Sequence, residues 1–237
     1  MISFWRSVPG LMLAALAGCG GGGGGEPPEQ PVLTIPLTTA IANYVNQTRS
    51  SPISIAGTIT SGGQSVSVTG SGTASEATGS GNFEGQSALR KSTSVTGTLV
   101  ANGVSVPLSD SGQAYFDTNY KPLGGTTALG YCVTVSATAL PTTARIGDNG
   151  PWYTQDCYPS SSKVAKLGTV TTSYAVEPDS ATSVLLRLIG RATDTAGNSI
   201  PLLSTFRVTT AGAITRLEET TSFAVGGDSL SLTISYR

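Results

Sequence analysis

Beyond Ile53, run after run places apolar side chains at every second position with serine or threonine between many of them. Ser65-Val66-Ser67-Val68, Val104-Ser105-Val106-Pro107-Leu108, Val133-Thr134-Val135-Ser136 and Leu230-Ser231-Leu232-Thr233-Ile234-Ser235-Tyr236 all show it. A period of two belongs to a strand with one face buried and the other wetted, because successive side chains point to opposite faces. Disordered tracts lack this regularity, so the Ser/Thr/Gly-rich composition here marks half-buried antiparallel strands. The only helical spacing is Thr38 to Thr48, with Ile41, Tyr44, Val45 and Thr48 on one face and threonine available as N-cap. Pro52 should end it at the latest.

The pattern repeats at an offset of 40 residues. Ser54-Ile55-Ala56-Gly57-Thr58-Ile59 matches Ser94-Val95-Thr96-Gly97-Thr98-Leu99, and Gly63-Gln64-Ser65-Val66 matches Gly103-Val104-Ser105-Val106. A weaker third copy runs from Gly190 to Leu202. Each copy reads as a hairpin, with Gly62-Gly63, Asn102-Gly103, Gly197-Asn198 and Gly226-Gly227-Asp228 supplying the positive φ of tight turns. The turn signals divide the chain into about ten to twelve strands, more than a flat open sheet holds well, so a barrel, half-barrel or sandwich is expected. The expected fold is all-β: an antiparallel meander with one short N-terminal helix. A bilayer-spanning barrel is not expected, because strand lengths are irregular, aromatic girdles are missing and the chain ends in Tyr236-Arg237.

The chain's beginning has a different character. Arg6 precedes a short apolar stretch, Val8 to Ala17, too short to span a bilayer as a permanent helix and shaped like an export signal. It closes in Leu16-Ala17-Gly18-Cys19, followed by Gly20 to Gly25 and Glu26-Pro27-Pro28-Glu29-Gln30-Pro31. The four residues resemble the lipobox of bacterial lipoproteins, whose signal peptidase cuts before a lipidated cysteine. That resemblance implies a signal peptide over 1–18, acyl chains on Cys19, a Gly/Pro linker over 19–36 and one β domain over 37–237. Two or three acyl chains give stable membrane retention where one gives only reversible binding. Gly20 stands where the family's inner-membrane retention signal has aspartate, which implies an outer-membrane address facing the periplasm or the cell surface.

Cysteine usage fits export. With Cys19 assigned to lipid, Cys132 and Cys157 remain, and in an oxidising compartment a pair reads as a disulfide. Closing a loop of about 26 residues removes roughly 3 to 4 kcal/mol of unfolded-state entropy on the chain-entropy account. A metal pair or a thiol nucleophile would need histidine or further cysteines, and the chain has no histidine.

Charged residues make up 11% of the chain and the net charge is −1. Without a basic stripe nucleic acid is not an expected partner. The lack of histidine removes the usual neutral-pH base and Ser-His-Asp triads. No catalytic residue, metal site or cofactor is assigned. Glu218 and Glu219 are adjacent in a strand and so face opposite ways, Glu177 and Asp179 flank Pro178 in a turn, and Asp194 and Asn198 flank Gly197 without the dense oxygen ligands of a calcium loop. About half of the aromatic residues gather between Tyr115 and Tyr158. Within that region Asp148, Trp152, Tyr153 and Tyr158 are the candidate ligand-binding residues, as a stacking platform with polar partners, and Asp148-Asn149-Gly150-Pro151 reads as the turn at the tip of the loop between the cysteines. The plainer account has these rings packing over the disulfide.

Tyr115 to Gly124 and Ile146 to Tyr153 resemble stretches of a group of bacterial lipoproteins that also begin with a cysteine and a glycine run; no activity carries over from that group. Helix followed by many antiparallel strands also resembles the element order of lipoprotein carriers with a half-barrel fold, a likeness of topology only. The expected function is a membrane-anchored, non-enzymatic binding or envelope-structural module. Its candidate ligands are an apolar molecule, a peptide or a carbohydrate. One alternative is a carrier of lipid or another apolar ligand in a cavity under the helix. Another is a hydrolase using two carboxylates about 5 to 10 Å apart.

Overall fold

The structure, a computed structural model, describes residues 33–225 and 228–237. The leader, Cys19, the linker up to Val32 and the expected Gly226-Gly227 turn lie outside the described residues. In chain order the elements are β1 (Thr34–Ile35), α1 (Leu37–Asn46), β2 (Arg49–Ser61), β3 (Gln64–Phe83), β4 (Gln86–Ala101), β5 (Val104–Phe116), β6 (Pro122–Thr127) and β7 (Gly130–Ala137). They continue with β8 (Ala144–Arg145), β9 (Asn149–Tyr158), β10 (Gly168–Pro178), β11 (Ser183–Asp194), β12 (Ser199–Thr209), β13 (Ile214–Val225) and β14 (Asp228–Tyr236). Apart from β1 and β8, which pair with each other, the strands form one closed antiparallel barrel in chain order, β14 returning to pair with β2. The all-β expectation holds, and of the candidate closures the barrel is the one observed.

The repeated segments are the hairpins β2–β3 and β4–β5. Gly62 and Gly63 have φ of 58° and 77°, and Asn102 and Gly103 have φ of 50° and 75°. Positive φ at both central residues is the I′ turn, whose twist matches that of the flanking strands. The third copy is the β11–β12 hairpin, turning through Gly197 at φ 90°.

Three local expectations shift. The helix covers Leu37–Asn46 rather than Thr38–Thr48, with Pro36 at the N-cap and no side-chain cap, because the chain arrives directly from β1. Pro52 does not stop the helix but lies inside β2. The chain is already extended at Gln47, and Pro52 pairs with Thr73 of β3 just past the end of the β14 ladder, where a missing N–H is tolerated. The turn expected at Asp148–Pro151 is confined to Arg145–Asp148, and Asn149–Pro151 already belong to β9.

Alternation sorts the side chains by polarity. Along β3 the inward positions are Val66, Val68, Gly70, Gly72, Ala74 and Glu76, while Ser65, Ser67, Thr69, Ser71, Thr73 and Ser75 face outward. β2, β4, β5 and β14 follow the same rule, so the outer wall here is a sheet of hydroxyls and the inner wall is apolar. This is the reverse of a barrel whose outer face meets lipid. Gly72 and Gly97 face each other across β3 and β4 so closely that a Cβ on either would sit 2.8 Å from the other's Cα. Glycines at such contacts let a sheet coil tightly enough to close.

α1 plugs one end of the barrel. Its buried Leu37, Ala40, Ile41 and Val45 pack with Phe116, Trp152, Tyr174, Leu186, Phe206 and Val208, which point inward from strands around the circumference. Rim loops fasten it there: Asn43 donates to the Gly212 carbonyl at 2.9 Å, and Asn46 to the Tyr120 hydroxyl at 2.9 Å. The opposite end is uneven. β6 pairs with β5 only over Gln113–Phe116, so the Val104–Gly112 portion of β5 has β4 on one side and no second ladder among the described residues. β13 likewise continues past its pairing with β12, which ends at Thr221. A wall of β13, β14, β2, β3, β4 and β5 therefore extends past its neighbours and leaves an open mouth.

Candidate functional site

Beneath the plug, where an apolar core would be expected, the lumen holds a knot of charge. Lys91, 1% exposed, pairs with Glu76, 6% exposed, at 3.0 Å, and donates to the carbonyls of Tyr44 at 2.8 Å and Gln47 at 2.5 Å. It thus caps the C-terminal end of α1, where the helix dipole favours a cation and the last carbonyls lack partners. Arg216 reaches Glu76 at 3.2 Å and Glu219 at 2.9 Å, donates to the Tyr44 hydroxyl, and lies over the rings of Tyr44, Phe206 and Tyr236, each centroid 5.4 Å away. Tyr236 donates to the other Glu219 oxygen at 2.6 Å.

Glu76 and Glu219 stand against Lys91 and Arg216, with Arg49 of β2 opposite Glu76 as a third cation nearby, and the polar atoms are incompletely satisfied. Both Glu76 carboxylate oxygens and Arg216 Nε lack an aligned hydrogen-bond partner, so the Glu76 contacts are ionic without being well-directed hydrogen bonds. Burial pushes the Lys91 ammonium below its usual pKa, against the attraction of Glu76. Burial also raises the Tyr44 phenol to about 12, opposed by Arg216, and raises Tyr236 as well. A buried pair is weak evidence for stability, and replacing one with apolar side chains is often neutral or favourable. Local rules broken in this way are expected at functional or strained sites.

On its mouth side the knot borders a cavity of about 200 Å³ lined by Ala74, Glu76, Thr93, Val95, Asp110, Thr127, Arg216, Glu219 and Tyr236. Asp110 is exposed and, among the described residues, has no ion-pair partner. Beyond it the inward positions turn apolar: Leu108, Val106 and Val104 on β5, Leu99 on β4, Ile59 on β2 and Leu232 on β14. Exposure rises toward the tips, with Ile55 4%, Ile59 39%, Val106 50% and Val104 62%. At the mouth end of the lumen Leu99, Leu108, Leu232 and Ile234 pack on the buried Ile53, Ile55 and Ala74, and the charged knot lies deeper, toward α1.

Cys132 and Cys157 are bonded, directly opposite each other on β7 and β9, and the disulfide faces inward against Val170 and Ala192. The four candidate ligand residues do not share one surface. Trp152 is buried in the core under α1, with Tyr153 edge-on to it at 5.0 Å. Asp148 holds its own turn, accepting the Arg145 backbone N–H at 3.0 Å. Tyr158 pairs with Tyr131 on the outward face. Of the four, Trp152 borders a rim crevice of about 310 Å³ beside α1 that also touches Ile41, Tyr120 and Leu140. A separate stack forms outside, Phe83 against Tyr115 at 4.8 Å and Tyr131 at 5.3 Å.

Under α1, where a carrier would hold an apolar ligand, the core side chains just named pack together. Glu219 points into the lumen as strand alternation required of one of the two adjacent acids, but its neighbour across the cavity is Arg216 rather than a second free carboxylate. Asp179 is tied to Arg207 and Ser183, Glu177 to Arg187, and Asp194 accepts the N–H groups of Ala196 and Asn198 in its turn. Among the described residues no cluster of three His, Cys, Asp or Glu side chains could hold a metal. Sequence reading passed over Glu76, Lys91 and Arg216. The available signal was parity, since Glu76 continues the inward series Val68, Gly70, Gly72, Ala74 and Lys91 the inward series Leu99, Gly97, Val95, Thr93. Comparison with protein-family models, with curated proteins and with solved structures returns no match for this chain.

Proposed function

We propose that this chain is a lipoprotein tethered through Cys19 and that its barrel is a non-enzymatic binding module. The observation that carries the binding half is the pairing of apolar side chains exposed at the mouth with a partly open cavity lined by charged groups. A purely structural barrel gains nothing from either feature, since exposed apolar side chains invite aggregation and buried charges cost desolvation. The non-enzymatic half is supported by the pairing of Glu76 and Glu219, the two acids in the charged knot. Glu76 is held by Lys91 and Arg216, and Glu219 by Arg216 and Tyr236, so neither is free to act as a general base. The tether rests on the lipobox-like Leu16-Ala17-Gly18-Cys19, and the hydroxyl-covered outer wall suits a body held beside a membrane instead of within it. The residue after Cys19 favours the outer membrane.

Cys19→Ala tests the tether. The variant should leave the membrane fraction and fail to take up labelled palmitate, whereas the natural chain stays with membranes and is labelled. Absence of palmitate label from the natural chain would remove the lipoprotein reading.

A further inference from the structure

At the plugged end of the barrel, in a place that shares no lining residue with the mouth cavity, we infer that the rim crevice beside α1 binds one neutral pyranose ring, its hydroxyls on Asp117 and Trp152 and its C–H face on Tyr120. The crevice measures about 310 Å³, at the small end of ligand pockets, so it suits a single ring better than a chain.

The floor is apolar and carries one unused donor. Trp152 is 6% exposed and Ile41 2%. A buried tryptophan ordinarily finds an acceptor for its indole N–H. Among the described residues Trp152 has none, yet the side-chain atoms sealed from water without a partner belong to Glu76, Arg90 and Arg216. The indole N–H therefore keeps contact with solvent, and the crevice that Trp152 borders is where a ligand acceptor can meet it.

The turn between β5 and β6 supplies the wall. Asp117 uses Oδ1 to accept the N–H groups of Asn119 at 2.8 Å and Lys121 at 2.9 Å, which fixes the carboxylate and leaves Oδ2 without a partner among the described residues. Tyr120 has φ of 62°, the left-handed region that turns reserve for Gly, Asn or Asp, and its hydroxyl accepts from Asn46 of α1 at 2.9 Å. A bulky residue held there is strained, and strain of this kind gathers at ligand sites.

The ligand class follows from charge and polarity. Asp117 and Lys121 place one charge of each sign at the crevice, neither in an ion pair among the described residues, so a charged ligand gains from one and loses to the other. An apolar ligand would cover the indole N–H and Asp117 Oδ2 and leave both unpaired, which costs affinity. A sugar ring answers each feature, with hydroxyls that donate to the carboxylate and accept from the N–H, and a C–H face for the tyrosine.

The test is a titration of the full chain carrying Trp5→Phe with the methyl pyranosides of glucose, galactose, mannose and N-acetylglucosamine. It is run in lauryldimethylamine oxide, so that no sugar head group competes. Trp152 is then the sole tryptophan, and its fluorescence reports the floor of the site. At least one glycoside should give a saturable change at about millimolar affinity, as expected of so few ligand atoms. Sorbitol, which has the hydroxyls without the ring, should give none. Asp117→Asn retains an oxygen for the two turn N–H groups and should weaken binding about tenfold, the worth of one charge-assisted hydrogen bond. Tyr120→Gly suits the φ of the turn and should abolish the response. No saturable change with any of the four glycosides, equal binding in both variants, or tighter binding of glucuronate or glucosamine than of the methyl glucoside would overturn the assignment. Binding that survives both variants but is lost in Val106→Lys would move the sugar to the mouth, overturning this site while the barrel remains a binding module.

Discussion

Glu76 is the residue on which the lumenal charges depend, because it contacts both buried cations. Truncating one member of a buried ionic cluster leaves the others charged in a poor solvent, a loss of about 3 to 5 kcal/mol in comparable cases, whereas replacing the cluster with apolar residues is often neutral. Glu76→Ala should therefore lower unfolding free energy in urea by several kcal/mol, and Glu76→Leu combined with Lys91→Met should recover much of it. Equal losses in both variants would mean the ionic contacts contribute nothing beyond the volume they fill. Lys91 complicates the recovery in one respect: its ammonium also caps α1, so the double variant gives up two hydrogen bonds to helix carbonyls. At this scale the sequence was only partly readable. A lone Lys or Glu among serines looks like a solvated charge, and only counting inward parity from the neighbouring Val and Gly positions shows it facing the lumen.

The hairpin is the element this chain repeats, and the disulfide belongs to that level. Cys132 and Cys157 join strands already adjacent, 25 residues apart in sequence, and close the loop that contains β8 and the Arg145–Asp148 turn. Constraining a loop of that length stabilises by about 3 to 4 kcal/mol on the chain-entropy account. Changing both cysteines to alanine should lower the urea midpoint accordingly, read by fluorescence with the two proteins under identical conditions. A midpoint unchanged by the double substitution would show that the β7–β9 ladder alone holds this region. Turn chemistry at Gly62-Gly63 and Asn102-Gly103 was legible because two consecutive positive-φ residues have few substitutes. The aromatic cluster was legible as a composition and illegible as a geometry. Trp152 went to the core while Tyr158 went outside, a division set by the β-bulge at Trp152 in the β9–β10 ladder, which composition does not reveal.

Across the whole molecule the closing contact is β14 on β2, residues 229–236 against 53–60. Nothing local drives this pairing, and contacts of such sequence separation form late and slowly. Once formed, however, it removes the sheet's last two edges over the shared length. Hydrogen exchange should then find peptides covering 53–60 and 229–236 protected as strongly as those of the β10–β11 ladder. Exchange faster by orders of magnitude in these two peptides would identify an open seam and a curled sheet in place of a closed barrel.

The sequence by itself determined that this protein is a meander of half-buried strands and where several of its hairpins turn, because these follow from alternation and backbone sterics; it pointed to the Cys132–Cys157 pair only through the reading of Cys19 as lipid-bearing. Only the tertiary structure decided that the meander closes, that a helix seals one end, and that Glu76, Lys91, Arg216 and Glu219 meet inside. Those outcomes depend on which distant strands become neighbours, and a period of two records which face a residue takes without recording what lies opposite.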